Sequence, residues 1–277
     1  MKVLIRIEFE KLIHQKWAWF ILVSCIPFAY ALITYFVWVD QRHLPDSPFY
    51  VAASMSASRG MKESIYLFGN LMVALLAGLL YTEEFQGGKL RMFFLRSYSR
   101  GQIFVSKWMI MNLFILLMMV ILGVSFTIFG VMKLPSPPEV MISGNRISST
   151  NAAILFYTLK QYALDFATLI GGGGLFIWIA MYCRTAARTI GIAMIYIIIS
   201  IFATSIFDPG SPLITENAFL LALIYAGLIP GMQVVGVEKA LSGDEYAQIS
   251  IAVGLVIYFF VCIVAARRKF TRADYLN

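Results

Sequence analysis

Six stretches of this chain run for roughly twenty residues or more with almost no charge, the length a helix needs to cross a bilayer. They are Trp17 to Val39, Ser64 to Thr82, Trp108 to Met132, Phe156 to Cys183, Thr189 to Phe207 and Ala247 to Ala266. In hydrocarbon every backbone N–H and C=O must find its partner inside the segment, so each run has to be a helix. The expected fold is therefore an all-α integral membrane protein with six transmembrane helices. Of the 277 residues, 60% are hydrophobic and 13% charged, against about 25% charged in an ordinary soluble domain. One membrane domain over residues 1–277 is expected, with Pro27 bending the first span. That first run is also longer than a signal-peptide core of roughly 7 to 15 residues and reads as a retained anchor.

A seventh apolar stretch, Ala218 to Val237, is broken by Pro230 and Gly231. Two short helices or a re-entrant hairpin suit it better than a span. The basic residues support six. Four Lys or Arg precede the first run, five lie between Glu83 and Lys107, Arg184 and Arg188 join runs four and five, and Arg267, Arg268, Lys269 and Arg272 fill the tail. With six spans all of these fall on one side, which the positive-inside rule makes cytoplasmic, together with both termini. A seventh span would carry the tail outward. The cell membrane is the expected location, and the net charge of +7 is explained by orientation, with no nucleic-acid partner implied.

Residues 2–16 place Ile5, Phe9, Leu12 and Ile13 on one helical stripe, with Arg6, Glu8, Glu10, Lys11 and His14 mostly elsewhere. An amphipathic helix in the interface is expected there. Residues 40–63 and 133–151 read as outer loops, and 208–246 as the largest outer element. Cys25, Cys183 and Cys262 lie in or beside apolar runs without metal-ligand spacing, and His14 and His43 are the two histidines. A histidine-based metal or hydrolase site, including an intramembrane protease around Glu83 and Glu84, has no material to be built from.

Asp165 is the main ionisable residue within a run, with Lys160 five residues before it. Counted back from Cys183 at 1.5 Å per residue, Asp165 lies roughly 27 Å away, near the outer interface. Lys160, Asp165, Pro230 and Gly231 are the candidates for a substrate path or outer gate. The Gly171 to Gly174 run lacks the Lys and Ser/Thr of a phosphate loop, and Lys89 after Gly87 and Gly88 is followed by Leu90. The glycine run is expected to permit close helix packing. An ion-coupled transporter would show buried carboxylates or repeat symmetry, and one peripheral Asp offers little of either.

The longest charged interruption is Glu83 to Lys107. Glu83 and Glu84 close the second run; Gly87 and Gly88 make a small-residue turn; Lys89, Arg91, Phe93, Phe94 and Arg96 form a short amphipathic piece. Ser97 to Ser99, Arg100 and Lys107 lead into the third run. This order resembles the cytoplasmic loop of ABC-2 type permeases, the membrane subunits of ABC exporters, with Lys89 where Thr is common and Ser97 and Tyr98 in place of Pro. The resemblance extends to the N-terminal helix, the six spans and the large outer element. It implies that the stretch contains a coupling helix docked on a separate ATPase subunit. It further implies ATP and Mg on that subunit, no cofactor on this chain, a second permease copy as partner, and export or resistance involving antimicrobial peptides, lipids or drugs.

Overall fold

The computed structural model describes residues 2–42, 50–86, 99–142, 145–148, 152–183, 185–206 and 228–272. Among them, six helices are long and apolar enough to cross a membrane: span 1 (Lys16–Asp40), span 2 (Ala53–Thr82), span 3 (Arg100–Lys133), span 4 (Ala152–Ala180), span 5 (Ala186–Thr204) and span 6 (Glu245–Arg272). The protein is a helical, multi-pass membrane protein. Helix α1 (Lys2–Ile13) precedes span 1. A two-stranded antiparallel hairpin, β1 (Glu139–Ile142) and β2 (Asn145–Ser148), occupies part of the segment read as a loop. We call the end of the bundle that carries α1 and the close of span 6 the terminal end, and the opposite one the hairpin end.

Span 1 buries Ile21, Cys25, Ala29, Ile33 and Phe36, one stripe that packs on span 3. Its other faces expose Trp17, Trp19, Phe20, Val23 and Tyr30, the surface that lipid covers. The helix runs unbroken through Pro27.

Span 2 begins at Ala53, well before the apolar run at Ser64. Its first turns are polar in composition yet buried, because Ser56, Ser58, Gly60 and Ser64 are small enough to let span 3 approach. A Cβ on Gly60 would lie 2.6 Å from the Phe126 ring, and one on Gly130 would lie 2.3 Å from Ser56 Cβ. A π turn, Ile65–Gly69, follows. Its cause is Asn70: the side-chain Nδ2 donates to Tyr66 O at 2.9 Å, the carbonyl an α-helix would give to the Asn70 backbone, and the backbone N–H turns to Ile65 O.

The four glycines of span 4 bring its neighbours together. Cβ atoms built there would lie 3.2 Å from Leu255 at Gly171, 3.3 Å from Asn70 Oδ1 at Gly172, 2.6 Å from Met111 at Gly173 and 3.0 Å from Ile263 at Gly174. One turn of span 4 thus touches spans 2, 3 and 6.

Beyond span 5, residues 207–227 lie outside the described residues, and 229–241 are helical. Pro230 stands in the first turn of Ile229–Gly231, where its missing N–H costs nothing. It opens a helix at that point, and the first half of the expected hairpin, 218–227, lies outside the described residues. A π turn (Met232–Gly236) and Val237–Leu241 continue the segment. Gly243, at φ 96°, makes the left-handed turn into span 6. Asp244 caps that span by accepting from Tyr246 N at 3.0 Å and Ala247 N at 3.3 Å.

Candidate functional site

Two places on the bundle gather polar chemistry. The first is at the terminal end, where the Glu83 to Lys107 stretch leaves and re-enters the spans. Gly87, Gly88, Lys89, Arg91, Phe93, Phe94 and Arg96 lie outside the described residues. Glu83 and Glu84 belong to the last turns of the helix that continues span 2 to Gln86.

Re-entry is set by a reciprocal cap. Ser99 Oγ accepts from Gln102 N at 3.3 Å, and Gln102 Oε1 accepts from Ser99 N at 3.1 Å. This capping box starts span 3 at Arg100, two turns before Trp108. Its Ser-x-x-Gln signature is visible in the sequence, and the helix it opens carries the whole of the apolar run Trp108 to Met132. Arg100 is tied down at once, with Nη1 donating to Thr271 O at 3.0 Å. Gly101 lies against Arg267. Tyr81 of span 2, Phe104 of span 3 and Phe270 of span 6 form an aromatic trio with centroids 5.6, 5.7 and 6.4 Å apart. Edge-to-face and tilted contacts at these distances are favourable.

Beside this trio lies a buried ion pair that no local pattern in the chain announces. Glu8 of α1 and Lys107 of span 3 are each 1% exposed, with Nζ to Oε2 at 3.4 Å. Lys107 Nζ also donates to Leu80 O in span 2 at 2.9 Å. The buried face of α1 is therefore Leu4, Glu8 and Leu12, with Ile5 and Phe9 half-buried and Ile13 exposed. Glu8 sits at its centre, where an amphipathic pattern would put an apolar residue, because its partner is ninety-nine positions away. By contrast, Arg6 and Glu10 pair at 2.8 Å in water, where a single pair contributes little. Glu10 raises the pKa of the Arg6 guanidinium above its ordinary value.

The second place is a polar column near the hairpin end, between span 2, span 4 and residues 229–241. Gln161, Asp165, Thr168 and Gly172 follow one another on a single face of span 4. Ser58 Oγ donates to Gln161 Oε1, and Gln161 Nε2 donates to Ser58 O at 3.0 Å. Two turns along, Asn70 Nδ2 donates to Gln233 Oε1 at 2.6 Å, and Gln233 Nε2 donates to Thr168 Oγ1 at 3.2 Å. Asp165 lies between these groups, 1% exposed, and neither carboxylate oxygen has a hydrogen-bond partner. Its electrostatic neighbours are Gln161 and Lys62. The fold buries Asp165 inside the bundle and leaves Lys160 exposed, with Nζ 4.5 Å from the Phe156 ring centroid, so the two candidates lie on different faces of span 4.

Above the column, Lys62 pairs with Glu238 across a pocket of about 80 Å³ that Met55, Arg59 and Tyr157 also line. Pro230 and Gly231 are buried at the foot of the same helical segment. A wider crevice, about 640 Å³, runs between spans 4 and 6, with Leu164, Leu241, Ile251 and Leu255 as walls and Lys160 and Gln248 at its polar points.

A family model described as ABC-2 family transporter protein matches residues 4–200, which take in α1, spans 1 to 4 and most of span 5. No curated protein matches the chain.

Proposed function

The chain belongs to the ABC-2 family of transporter proteins, and from that membership we propose that it is the membrane subunit of an ATP-driven exporter. In this reading the terminal end faces the cytoplasm, as the distribution of Lys and Arg requires. A separate ATPase subunit, carrying the ATP and Mg²⁺, docks on the coupling helix, about Glu84 to Arg96, within the Glu83 to Arg100 stretch. Two permease copies move an amphipathic molecule outward: a peptide antibiotic, a lipid or a drug, with resistance as the benefit to the cell.

The observation that supports the docking role best is how the stretch is rooted. A lever transmits force only if its base is rigid, and rigid-body changes are passed through packed elements. Here the base joins α1, spans 2 and 3 and the end of span 6 through the Glu8–Lys107 pair, the Leu80 carbonyl and the Phe270 trio. Phe93 and Phe94 with Arg91 and Arg96 would supply the aromatic and arginine anchors common at interface hot spots. The 640 Å³ crevice has the size of a small-molecule site, and its apolar walls with Lys160 at one edge suit an amphipathic substrate.

Asp165 supports a second reading, an ion-coupled transporter acting without an ATPase, because a buried carboxylate within a span is the usual mark of a proton or cation path. Purification from the native host in mild detergent separates the two. The exporter reading expects an ATPase subunit to accompany the chain and transport to stop with vanadate. Transport abolished by a proton ionophore, with no ATPase in the preparation, would overturn it.

A further inference from the structure

Within the polar column Ser58 and Gln161 bond each other, and Asn70, Gln233 and Thr168 form a chain of their own. Two groups among them are left without a hydrogen-bond partner, Asn70 Oδ1 and the Asp165 carboxyl. Of the two, the Asp165 carboxyl is the one that a cation coming to it would match. The charged or titratable groups around the column and its mouth are Arg59 and Lys62 of span 2, Tyr157 of span 4 and Glu238 of the 229–241 segment. Of these, Lys62 stands one turn after Ser58 on span 2, as Asp165 stands one turn after Gln161 on span 4, so the Ser58–Gln161 bonds set the lysine and the carboxyl at the same level of the column. It is also the one held by a partner that can release it cheaply, since the Glu238 side chain is 54% exposed and water can take over its solvation. A lysine is a point charge on a flexible four-carbon stem, able to change partner without a change of backbone at its own position.

We propose that Lys62 is the moving part of a latch with two carboxylate partners. Paired with Glu238, as here, it pins the 229–241 segment to span 2 and closes the pocket. When that segment moves away, Lys62 turns inward to Asp165, and the pocket, which Ser58, Gln161 and Gln233 of the column already line, widens toward the hairpin end. Neither arrangement strands the lysine, so the two states lie close enough for the transport cycle to switch them. The latch rests on the proposed exporter reading for its sidedness, with the hairpin end outside, and not for its pairing.

Met55 lines the pocket, and the three native cysteines are buried, so Met55→Cys reports opening through its labelling by a membrane-impermeant maleimide on intact cells. Against that background Glu238→Gln is expected to label about tenfold faster or more, as a minor open state becomes the main one. Asp165→Asn should label more slowly than the parent, and the Glu238→Gln/Asp165→Asn pair should lose the acceleration. Lys62→Gln, which removes both pairings at once, should label at the rate of the Glu238→Gln/Asp165→Asn pair, slower than Glu238→Gln alone, and be indifferent to Asp165→Asn. Acceleration by Glu238→Gln that survives Asp165→Asn, or no acceleration at all, overturns the latch. Labelling confined to inside-out vesicles, with this order of variants intact, would instead overturn the assigned orientation and leave the latch standing.

Discussion

Lys107→Met is expected to destabilise the fold by about 3–5 kcal/mol, the usual consequence of leaving a buried charge without its partner. The stranded group is Glu8, whose second oxygen, Oε1, already lacks a hydrogen-bond partner. The variant also removes the bond to Leu80 O, so α1, span 2 and span 3 lose their common tie together. Thermal unfolding in detergent measures the loss. Glu8→Leu/Lys107→Met should recover most of it, because exchanging a whole buried pair for apolar side chains is often neutral or stabilising. If the double variant is as unstable as the single one, the pair is not what joins these elements.

Phe270→Ala should cost a similar amount, about 3–5 kcal/mol for an aromatic removed from a packed site. Phe270 is 1% exposed and contacts Tyr81 and Phe104 from the last turn of span 6. Its loss opens a void at the root of the Glu83 to Lys107 stretch and loosens the turn in which Thr271 O receives Arg100. Phe270→Leu keeps most of the volume and should lose much less. The same thermal melts compare the two, and an Ala variant that melts like the parent would show that span 6 is not clamped there.

These elements also show what a sequence of this kind makes legible. Each span announces itself because its apolar run is a local property, and the positive residues between runs are local too. Span 2 starts earlier than its apolar run because Ser56, Ser58 and Gly60 are polar or small for packing, not for solvent. Span 3 starts earlier because Ser99 and Gln102 cap it, a signal that lies outside the apolar run. The π turn before Asn70 depends on one side chain taking over a backbone bond, which no periodicity reveals. The root of the Glu83 to Lys107 stretch is half visible in the sequence: its basic order can be read, while Glu8 reads as one more interfacial acid because Lys107 comes to it only on folding. Asp165 stands out as an ionisable residue within a span, but its burial depends on which face of span 4 turns inward. Lys62 and Glu238, 176 positions apart, could be joined only by the fold.

On the exporter reading, a separate ATPase subunit meets the membrane subunit on the coupling helix, about Glu84 to Arg96. Phe93→Cys tests this directly, since Phe93 falls within that stretch and Cys25, Cys183 and Cys262 are all buried. A photoactivatable thiol reagent placed there and irradiated in native membranes should join the permease to an ATPase subunit, giving one adduct that contains both chains. An ATPase that co-purifies with the labelled permease but never forms that adduct would contradict the claim.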